Sequence, residues 1–234
     1  MPAPPPLRIS LTVDDVRLVR EGQGRPCSAR ILDTAATLLD RVKDGHWLRP
    51  AHRYALWPVA AAGSGCLRLR GWGALHSPLA AHRLCRATHV AAGICTIGSR
   101  VGQQVREWFA AGEAVKAVVL DEIGSLALYR LAEDLEGRIR LEARRLGLEA
   151  SGVLNPGDDG FDISEQPKVI ELAGGARMGV SLTAGGMLCP EKSLTLIMGI
   201  GKGVPAWGRD RNCARCRARR RCPHRHLVPP NLAA

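Results

Sequence analysis

A long amphipathic segment at residues 113–146 constrains the fold of this chain more than any other feature. Its apolar side chains recur every three or four positions, the spacing that places them on one face of an α-helix. We therefore expect one long helix that packs its apolar face on a core and ends at Gly147. Gly124 lies inside this segment. An interior glycine costs about 1 kcal/mol relative to alanine, and a close contact with a neighbouring element would explain it. The apolar positions are Val115, Val118, Val119, Ile123, Leu126, Ala127, Leu131, Leu135 and Ile139.

Shorter patterns predict a mixture of helices and strands around this segment. Helical spacing recurs at residues 28–43 and 99–109, and Ser77 is a typical cap for a short helix in HSPLAAHRL. Asp162 and Glu165 resemble a capping box that would start a helix at Ile163. Strands are predicted at residues 54–62, 66–73, 88–98, 180–183 and 193–200, and at residues 7–13 before a helix capped by Thr12 or Asp14.

The positive charge of the chain is concentrated near its C-terminus. The formal charge is +11, and residues 209–226 contribute +7 of it through eight arginines and one aspartate. A basic field favours anionic partners, but the rest of the chain is only mildly basic. We therefore regard nucleic acid as an unlikely partner of the body of the protein.

The cysteine pattern and the N-terminal sequence favour a cytoplasmic protein with reduced thiols. The first five of the eight cysteines are scattered along a chain of 234 residues, unlike a secreted disulfide framework. Prolines occupy the N-terminal stretch where a signal peptide has its apolar region. No apolar run approaches the ~18 residues of a membrane-spanning helix, so we expect no membrane partner.

Two loops are candidate ligand sites. In NPGDDGFD, Pro156 fixes a backbone angle, Gly157 lets a ligand approach the backbone, and Asp158 and Asp159 can accept hydrogen bonds from a ribose or an amine. In LTAGGMLCPEKS, Thr183, Gly185 and Gly186 can expose backbone amides. Lys192 supplies a cation and Ser193 a hydroxyl in the same loop. Each loop also has a purely structural interpretation, as a solvated turn or a link between core strands. Neither has the spacing of a phosphate loop or a dinucleotide motif.

The C-terminal stretch CARCRARRRCPHRH is a candidate metal site. Cys213 and Cys216 have the spacing of two thiolate ligands, and Cys222 adds a third. For zinc, His224 or His226 would supply the fourth ligand. For an iron–sulfur cluster, the fourth ligand would be Cys189, His224 or a small molecule. A basic arm with incidental thiols is the structural alternative.

Several stretches together resemble the activation domain of cobalamin-dependent methionine synthase, in particular its small stand-alone relatives. They are THVAAGICTIGSRVGQQV, AVVLDEIGSLALYRLAEDLEGRI, NPGDDGFDISEQPKVIEL, MGVSLTAGGMLCPEKSLTLIMGIGKG and the cysteine tail, which span most of residues 88–222. Residues 7–60 fit the same layout more loosely.

The resemblance implies an α+β fold with a curved, mostly antiparallel sheet and long helices. It divides the chain into a flexible N-terminus (1–6), an N-terminal part of the domain (7–87), the activation-like core (88–205) and a Cys/Arg-rich tail (206–234). In the family, this module caps cobalamin on the rest of the synthase and presents S-adenosylmethionine, while a reductant protein supplies an electron. The implied role is that of an accessory protein within a methyltransferase system rather than an independent enzyme.

The resemblance also implies a ligand loop, of the pattern Arg-x-x-Pro-Gly-Tyr. Pro156 and Gly157 match that pattern, whereas Val153 replaces the arginine and Asp158 replaces the tyrosine. The implied ligand set around this modified site is Asn155, Pro156, Gly157, Asp158, Asp159 and Phe161, with Pro190 and Ser193 matching the later strand.

On such a fold, the tail cysteines suggest an iron–sulfur cluster near the surface that faces the corrin. Two other functions stay open at this point. One is a zinc-knuckle module whose arginine-rich tail contacts nucleic acid, and the other is a structural subunit that keeps the fold without the ligand site.

Overall fold

The centre of the structure is an antiparallel β-sheet. The computed structural model describes residues 9–215. Its strands are β1 (Ala51–Gly63), β2 (Cys66–Leu69), β3 (Gly73–His76), β4 (His89–Thr96), β5 (Glu149–Leu154), β6 (Ser181–Leu182), β7 (Leu188–Cys189) and β8 (Ser193–Gly201). Within the described residues, six strands pair in the order β3–β2–β1–β4–β8–β5, and β6 and β7 form a separate hairpin.

Helices cover both faces of this sheet. They are α1 (Val13–Gly22), α2 (Ala29–Lys43), α3 (Pro78–Arg83), α4 (Arg100–Ala110), α5 (Ala114–Arg145), α6 (Gln166–Ala173) and α7 (Arg209–Arg215), with 3₁₀ turns at Ile163–Glu165 and Gly175–Met178. Helices α1, α2, α4 and α5 pack on one face, and α3 and α6 pack on the other. This arrangement confirms the predicted α+β fold with an antiparallel sheet and long helices.

Strand β4 shows why the sheet requires a helical layer on each side. Ala91 and Cys95 contribute to the core under α5, whereas Val90, Ala92 and Ile94 contribute to the core under α6. Successive side chains of a strand point to opposite faces, so an apolar strand of this kind is stable only when both faces are buried.

Strand β1 joins the N-terminal part of the chain to the rest of the sheet. Its residues 51–58 pair with β4, and its residues 59–63 pair with β2. Pro58 lies where the pairing changes, beside a bulge between Val59 and Ala61, a position that accommodates a residue without an amide hydrogen. The described residues of segments 7–87 and 88–205 therefore contribute strands to one sheet, and the subdivision of the chain into four segments stays a prediction.

Helix α5 is the long helix that the sequence predicts. Residues 122–128 are buried all around the helix, because the sheet lies on one side and the helices α2 and α4 on the others. A Cβ atom at Gly124 would lie 2.8 Å from Cγ1 of Val101 in α4. The glycine therefore permits the close approach of α4, as expected.

Two local expectations were wrong, and one strand was not predicted. Within the described residues no strand precedes α1, which starts at Val13 after a capping box between Thr12 and Asp15. A helical segment does start at Ile163 after Asp162, first as a 3₁₀ turn, but Glu165 makes no capping box and its carboxylate accepts the backbone amide of His76. The edge strand β5 was not predicted. No helix of the described residues combines the length and the apolarity that crossing a bilayer requires.

Two glycine-to-alanine substitutions on α5 should change stability in opposite directions. Gly137→Ala should raise the free energy of unfolding by about 1 kcal/mol, because alanine is the better helix former and a Cβ atom there meets nothing within 4 Å. Gly124→Ala should lower it by about 1 kcal/mol, since overpacking against Val101 outweighs the gain in helix propensity. Urea denaturation followed by circular dichroism measures both. Equal stabilisation by the two substitutions would contradict the close α4–α5 contact.

Candidate functional site

The loop at residues 155–161 is a compact turn that directly follows β5. The amide of Gly157 donates to the carbonyl of Phe161 at 2.7 Å, the amide of Phe161 donates to the carbonyl of Asp158 at 2.8 Å, and the amide of Asp158 donates to the carbonyl of Asn155 at 3.0 Å. These bonds close the loop on itself, which fits the turn chemistry of its sequence.

The carboxylate of Asp158 is part of the turn. Its Oδ2 accepts the backbone amide of Asn155 at 2.8 Å. Burial raises the pKa of the Asp158 carboxyl above its usual value, and the hydrogen bond from Asn155 offsets part of that rise. The side chain at the position of the family's tyrosine is therefore engaged within the loop.

The other side chains of this loop divide into buried and exposed ones. Phe161 is fully buried in the core under α6, and Pro156 is also buried. The side-chain amide of Asn155 donates to the carbonyl of Thr195 at 2.6 Å and fastens the loop to β8. Gly157 and Asp159 are exposed. A ligand at this loop would therefore meet mainly backbone and the Asp159 side chain.

The second predicted loop is the β6–β7 hairpin. The amide of Thr183 donates to the carbonyl of Met187 at 2.8 Å, and the amide of Gly186 donates to the carbonyl of Thr183 at 2.9 Å. Gly186 has a φ of +78°, the region that favours glycine in tight turns. Gly185 is exposed, and Met187 is 69% exposed. The tip of the hairpin therefore offers backbone and one apolar side chain.

Lys192 and Ser193 are bonded within the protein. The ammonium of Lys192 lies 2.7 Å from Oδ1 of Asp121 and donates to Oγ of Ser125 at 2.8 Å, so this cation is directed towards α5. The hydroxyl of Ser193 is buried, donates to the carbonyl of Pro190 at 2.6 Å and shares a second hydrogen bond with the hydroxyl of Thr96 at 2.8 Å. Both residues position the start of β8.

The acidic pair on α5 was missed in the sequence. Asp121 binds Lys192, and the next residue, Glu122, accepts hydrogen bonds from Arg20 at 2.7 and 2.8 Å and from Arg25 at 2.8 Å. Arg20 and Glu122 are buried. A buried ion pair that loses one partner costs about 3–5 kcal/mol. The sequence signal for these two sets of ion pairs was the presence of two adjacent acids inside an apolar helical segment.

The C-terminal tail begins at the edge strand β5. The indole of Trp207 lies over Gly152, where a Cβ atom would be 2.3 Å from the ring. Its Nε1 donates to the side-chain oxygen of Asn212, and the side-chain nitrogen of Asn212 donates to the carbonyl of Val153 at 2.6 Å. The next residue is Cys213, so the first thiol of the tail starts close to the candidate loop.

The predicted metal site lies largely outside the described residues. Cys216, Cys222 and His224 are among the residues that the structure does not describe, whereas Cys213 is partly buried and Cys189 is exposed. Among residues 9–215, no group of three or more His, Cys, Asp or Glu side chains is arranged to hold a metal ion. The metal ligands stay predictions.

The structure thus brings part of the predicted site together. Asn155 links the loop at residues 155–161 to Thr195, two residues beyond Ser193, and the β6–β7 hairpin leads into the same start of β8. Lys192 is directed away from this region by its ion pair with Asp121. The assignment of ligand-binding roles to these residues stays a prediction.

Comparison with known proteins supports the fold. The chain is similar to a solved structure of the MetH reactivation domain bound to AdoHcy, with a TM-score of 0.61 and 14% sequence identity. The similarity covers 76% of this chain and 66% of that chain, just under two thirds of its length. No protein-family model and no curated protein matches the sequence. At this identity, the similarity shows that the chain has the fold of a methionine synthase reactivation domain.

Asp158→Asn should make the stability of the protein less dependent on pH. Because the pKa of Asp158 is raised in the folded state, its ionisation lowers stability as pH rises from its usual value through the folded pKa. Asparagine keeps an acceptor for the Asn155 amide without that ionisation. We therefore expect the variant to be more stable than the unmodified protein at pH 7 and to lose this advantage below about pH 4.

Asp162→Asn is the matched control with the opposite sign. The hydrogen bond from the backbone amide of Ser164 holds the pKa of Asp162 below its usual value, so its ionised form contributes stability that is lost as pH falls. This variant should be less stable than the unmodified protein at pH 7, with a deficit that shrinks in acid. Thermal unfolding between pH 3 and pH 8 measures both, and a parallel pH response of the two variants would contradict the burial of Asp158.

Proposed function

We propose that this protein is an accessory factor that reactivates a cobalamin-dependent methyltransferase, in the first place methionine synthase. The observation that carries the proposal is the similarity of its fold to the MetH reactivation domain bound to AdoHcy. The Pro156-Gly157 turn supports it, because it keeps part of the family's ligand loop and follows the edge strand β5. In this role the protein is one part of a methyltransferase system and has no independent catalytic activity.

The surface proposed to face the corrin lies around the candidate loop and the β6–β7 hairpin. Ile163 is 53% exposed beside the loop, and Met187 is 69% exposed at the hairpin. Exposed apolar side chains near a candidate site are typical of contact surfaces. The corrin, held by the partner, supplies the methyl acceptor, and a separate reductant protein supplies the electron. This chain binds and orients.

S-adenosylmethionine is the proposed methyl donor, held mainly by backbone groups. Val153 stands where the resembled loop pattern has an arginine, and it is 3% exposed. Its backbone carbonyl accepts a hydrogen bond from the side-chain amide of Asn212. The donor's carboxylate therefore has no arginine partner at this position, and we expect weaker binding than in relatives that keep the arginine. Gly157, Gly185 and Asp159 are the exposed groups proposed to contact it.

The C-terminal cysteines are proposed to hold an iron–sulfur cluster. Support comes from the point where the tail starts, since Asn212 fixes the chain next to Cys213 at the edge of β5. Thiolates are the preferred ligands of such clusters, and a cluster near the corrin-facing surface would serve the delivery of an electron. Cys216 and Cys222 would complete the thiolate set, with His224 or Cys189 as the fourth ligand.

A bulky side chain at the hairpin should abolish reactivation. A Cβ atom at Gly185 meets nothing closer than 3.9 Å, so Gly185→Trp projects into open space and blocks the approach of the corrin protein. Gly137→Trp is the matched control, because a Cβ atom there meets nothing within 4 Å and α5 packs on the other face of the sheet from the core that holds Phe161. The measurement adds each protein to a methionine synthase core carrying cob(II)alamin, with a reductant and S-adenosylmethionine, and follows the visible spectrum of methylcobalamin.

The unmodified protein and Gly137→Trp should restore the methylcobalamin spectrum, and Gly185→Trp should not. Calorimetry with S-adenosylmethionine separates loss of donor binding from loss of docking. Absence of any spectral change with the unmodified protein, together with no heat of donor binding, would favour a structural subunit instead. Steeply salt-dependent binding to arbitrary nucleic acid, lost on deletion of residues 209–226, would favour the nucleic-acid module.

Metal analysis of the full-length protein tests the cluster. After anaerobic purification, iron, sulfide and visible absorbance should be present and should be lost in Cys216→Ser and Cys222→Ser, because each removes a thiolate ligand. Cys85→Ser is the control, since that exposed thiol lies outside the tail. A colourless protein without iron after reconstitution would end the cluster proposal, and zinc in its place would indicate a structural site.

A further inference from the structure

A second concave region lies at the opposite end of the sheet from the candidate loop. The start of β4 and the end of β8 meet there, since His89 pairs with Ile200, whereas Thr96 pairs with Ser193 at the other end. Two adjoining cavities of about 470 and 410 Å³ open beside these strand ends. Each volume falls within the range of about 300–1,000 Å³ typical of small-molecule sites.

The two cavities share Cys85, and we call them together the basic groove. One is lined by His82, Arg83, Cys85, Arg86, Gly203 and Pro205. The other is lined by residues 58–62 of β1 and by Arg70, Cys85, Ala87, Thr88 and His89. Of the residues that the structure describes, three arginines and two histidines line the groove and no carboxylate does. Its field therefore favours an anion.

Two of these arginines have no partner among the described residues. Neither the Arg70 nor the Arg86 side chain forms an ion pair or a hydrogen bond within residues 9–215. The guanidinium of Arg86 lies against Gly203, with Nη2 3.0 Å from the position that a Cβ atom would take there. The carboxylate of Glu149 also lies at this wall, where its Oε2 accepts the backbone amide of Gly203 at 2.9 Å, so one negative charge stands beside the positive charges of the groove. Each cavity thus has one guanidinium available to a ligand.

A third arginine is held in place at the wall of the groove. The guanidinium of Arg83 lies 5.1 Å from the centroid of the Trp207 ring, a distance typical of a cation–π contact. Trp207 is itself fixed by its hydrogen bond to Asn212. The wall is therefore built from side chains with defined positions.

We propose that the basic groove binds a small molecule with two or more linked phosphate groups, the class of pyrophosphate and of nucleoside di- and triphosphates. Arginine binds phosphate through paired N–H groups, and Arg70 and Arg86 place one such fork in each of two adjoining cavities.

The groove does not depend on the proposed reactivation role, because none of its lining residues belongs to the candidate loop or the β6–β7 hairpin. Helix α3 connects the two regions, since the amide of Leu79 donates to the carbonyl of Gly160 and His82 lines the groove. The same phosphate chemistry also occurs in nucleic acid. The body of the chain is only mildly basic once the tail charge of residues 209–226 is set aside. We therefore take a small phosphorylated molecule as the ligand of the groove. The experiment below includes an oligonucleotide to test whether a polynucleotide binds there instead.

Protection of Cys85 from alkylation tests the proposal in the full-length protein. Cys85 is exposed and lines both cavities, and Cys189 is an exposed thiol of the same chain on β7, outside the groove. Pyrophosphate, ATP, inorganic phosphate and a single-stranded oligonucleotide are added separately, and mass spectrometry follows the alkylation of each cysteine. With pyrophosphate or ATP at about ten times its Kd, alkylation of Cys85 should slow about tenfold by mass action, while that of Cys189 stays unchanged.

Arginine variants identify the groups that bind. Arg86→Gln and Arg70→Gln should each weaken protection by about tenfold or more in Kd, as expected for loss of hydrogen bonds to a charged group. Arg30→Gln is the matched control, because Arg30 is an exposed arginine on α2, away from the groove. Near-UV circular dichroism checks the folding of each variant.

Several results would overturn the proposal. They are no protection of Cys85 in the unmodified protein at millimolar ligand, equal protection of Cys189, or unchanged protection in both folded arginine variants. Protection by the oligonucleotide but not by pyrophosphate or ATP would assign the phosphate to a polynucleotide and reject the small molecule. Because the unmodified protein provides the primary measurement, a variant that fails to fold leaves the test intact.

Discussion

The rest of the structure depends on two adjacent acids in the middle of α5. Glu122 holds Arg20 and Arg25 of the N-terminal segment, and Asp121 holds Lys192 at the entry to β8. Apolar burial is non-directional. It favours the packing of α1 and β8 on α5, but it does not specify their position along the axis of α5. The buried pair of Arg20 and Glu122 does fix that position for α1, because an unpaired buried partner costs several kcal/mol. The pair of Asp121 and Lys192 is weaker, since the Asp121 side chain is 49% exposed, but it sets the register of the start of β8 on the same helix.

This register determines where the candidate loop lies. Lys192 is anchored to α5, so the residues after it begin β8 at a fixed point beside β4. The carbonyl of Thr195 then accepts a hydrogen bond from the side-chain amide of Asn155. This bond attaches the turn at residues 155–161 to β8 as well as to β5, the strand that it follows. Lys192, the predicted cation of the ligand site, is thus held by Asp121 and Ser125, and its role in a ligand site stays a prediction.

The sequence predicts those parts of the fold whose determinants are local. The period of α5, the cap at Ser77 and the turn chemistry of residues 155–161 can each be recognised within a few residues, and the structure contains all three. Strand β5 was missed because Glu149–Leu154 includes a glycine and a serine in place of the usual β-formers. That glycine is explained by Trp207, which lies over it from a distant part of the chain. The partner of Lys192 is equally remote, with 67 positions separating it from Ser125, and no local pattern indicates such a pair.

The partly buried carboxylate of Asp158 is a feature that the geometry of the turn alone does not require. An asparagine at this position would accept the Asn155 amide equally well and would avoid the desolvation that raises the pKa of the acid. A turn selected for stability alone therefore has no need of an ionisable group there. Groups with perturbed pKa values concentrate at functional sites, and this one follows the Pro156-Gly157 pair at the position where the related loop carries an aromatic residue. A negative charge that emerges on ionisation beside the exposed Gly157 would attract the ammonium or sulfonium group of a ligand, which links the departure from the family pattern to a cationic methyl donor.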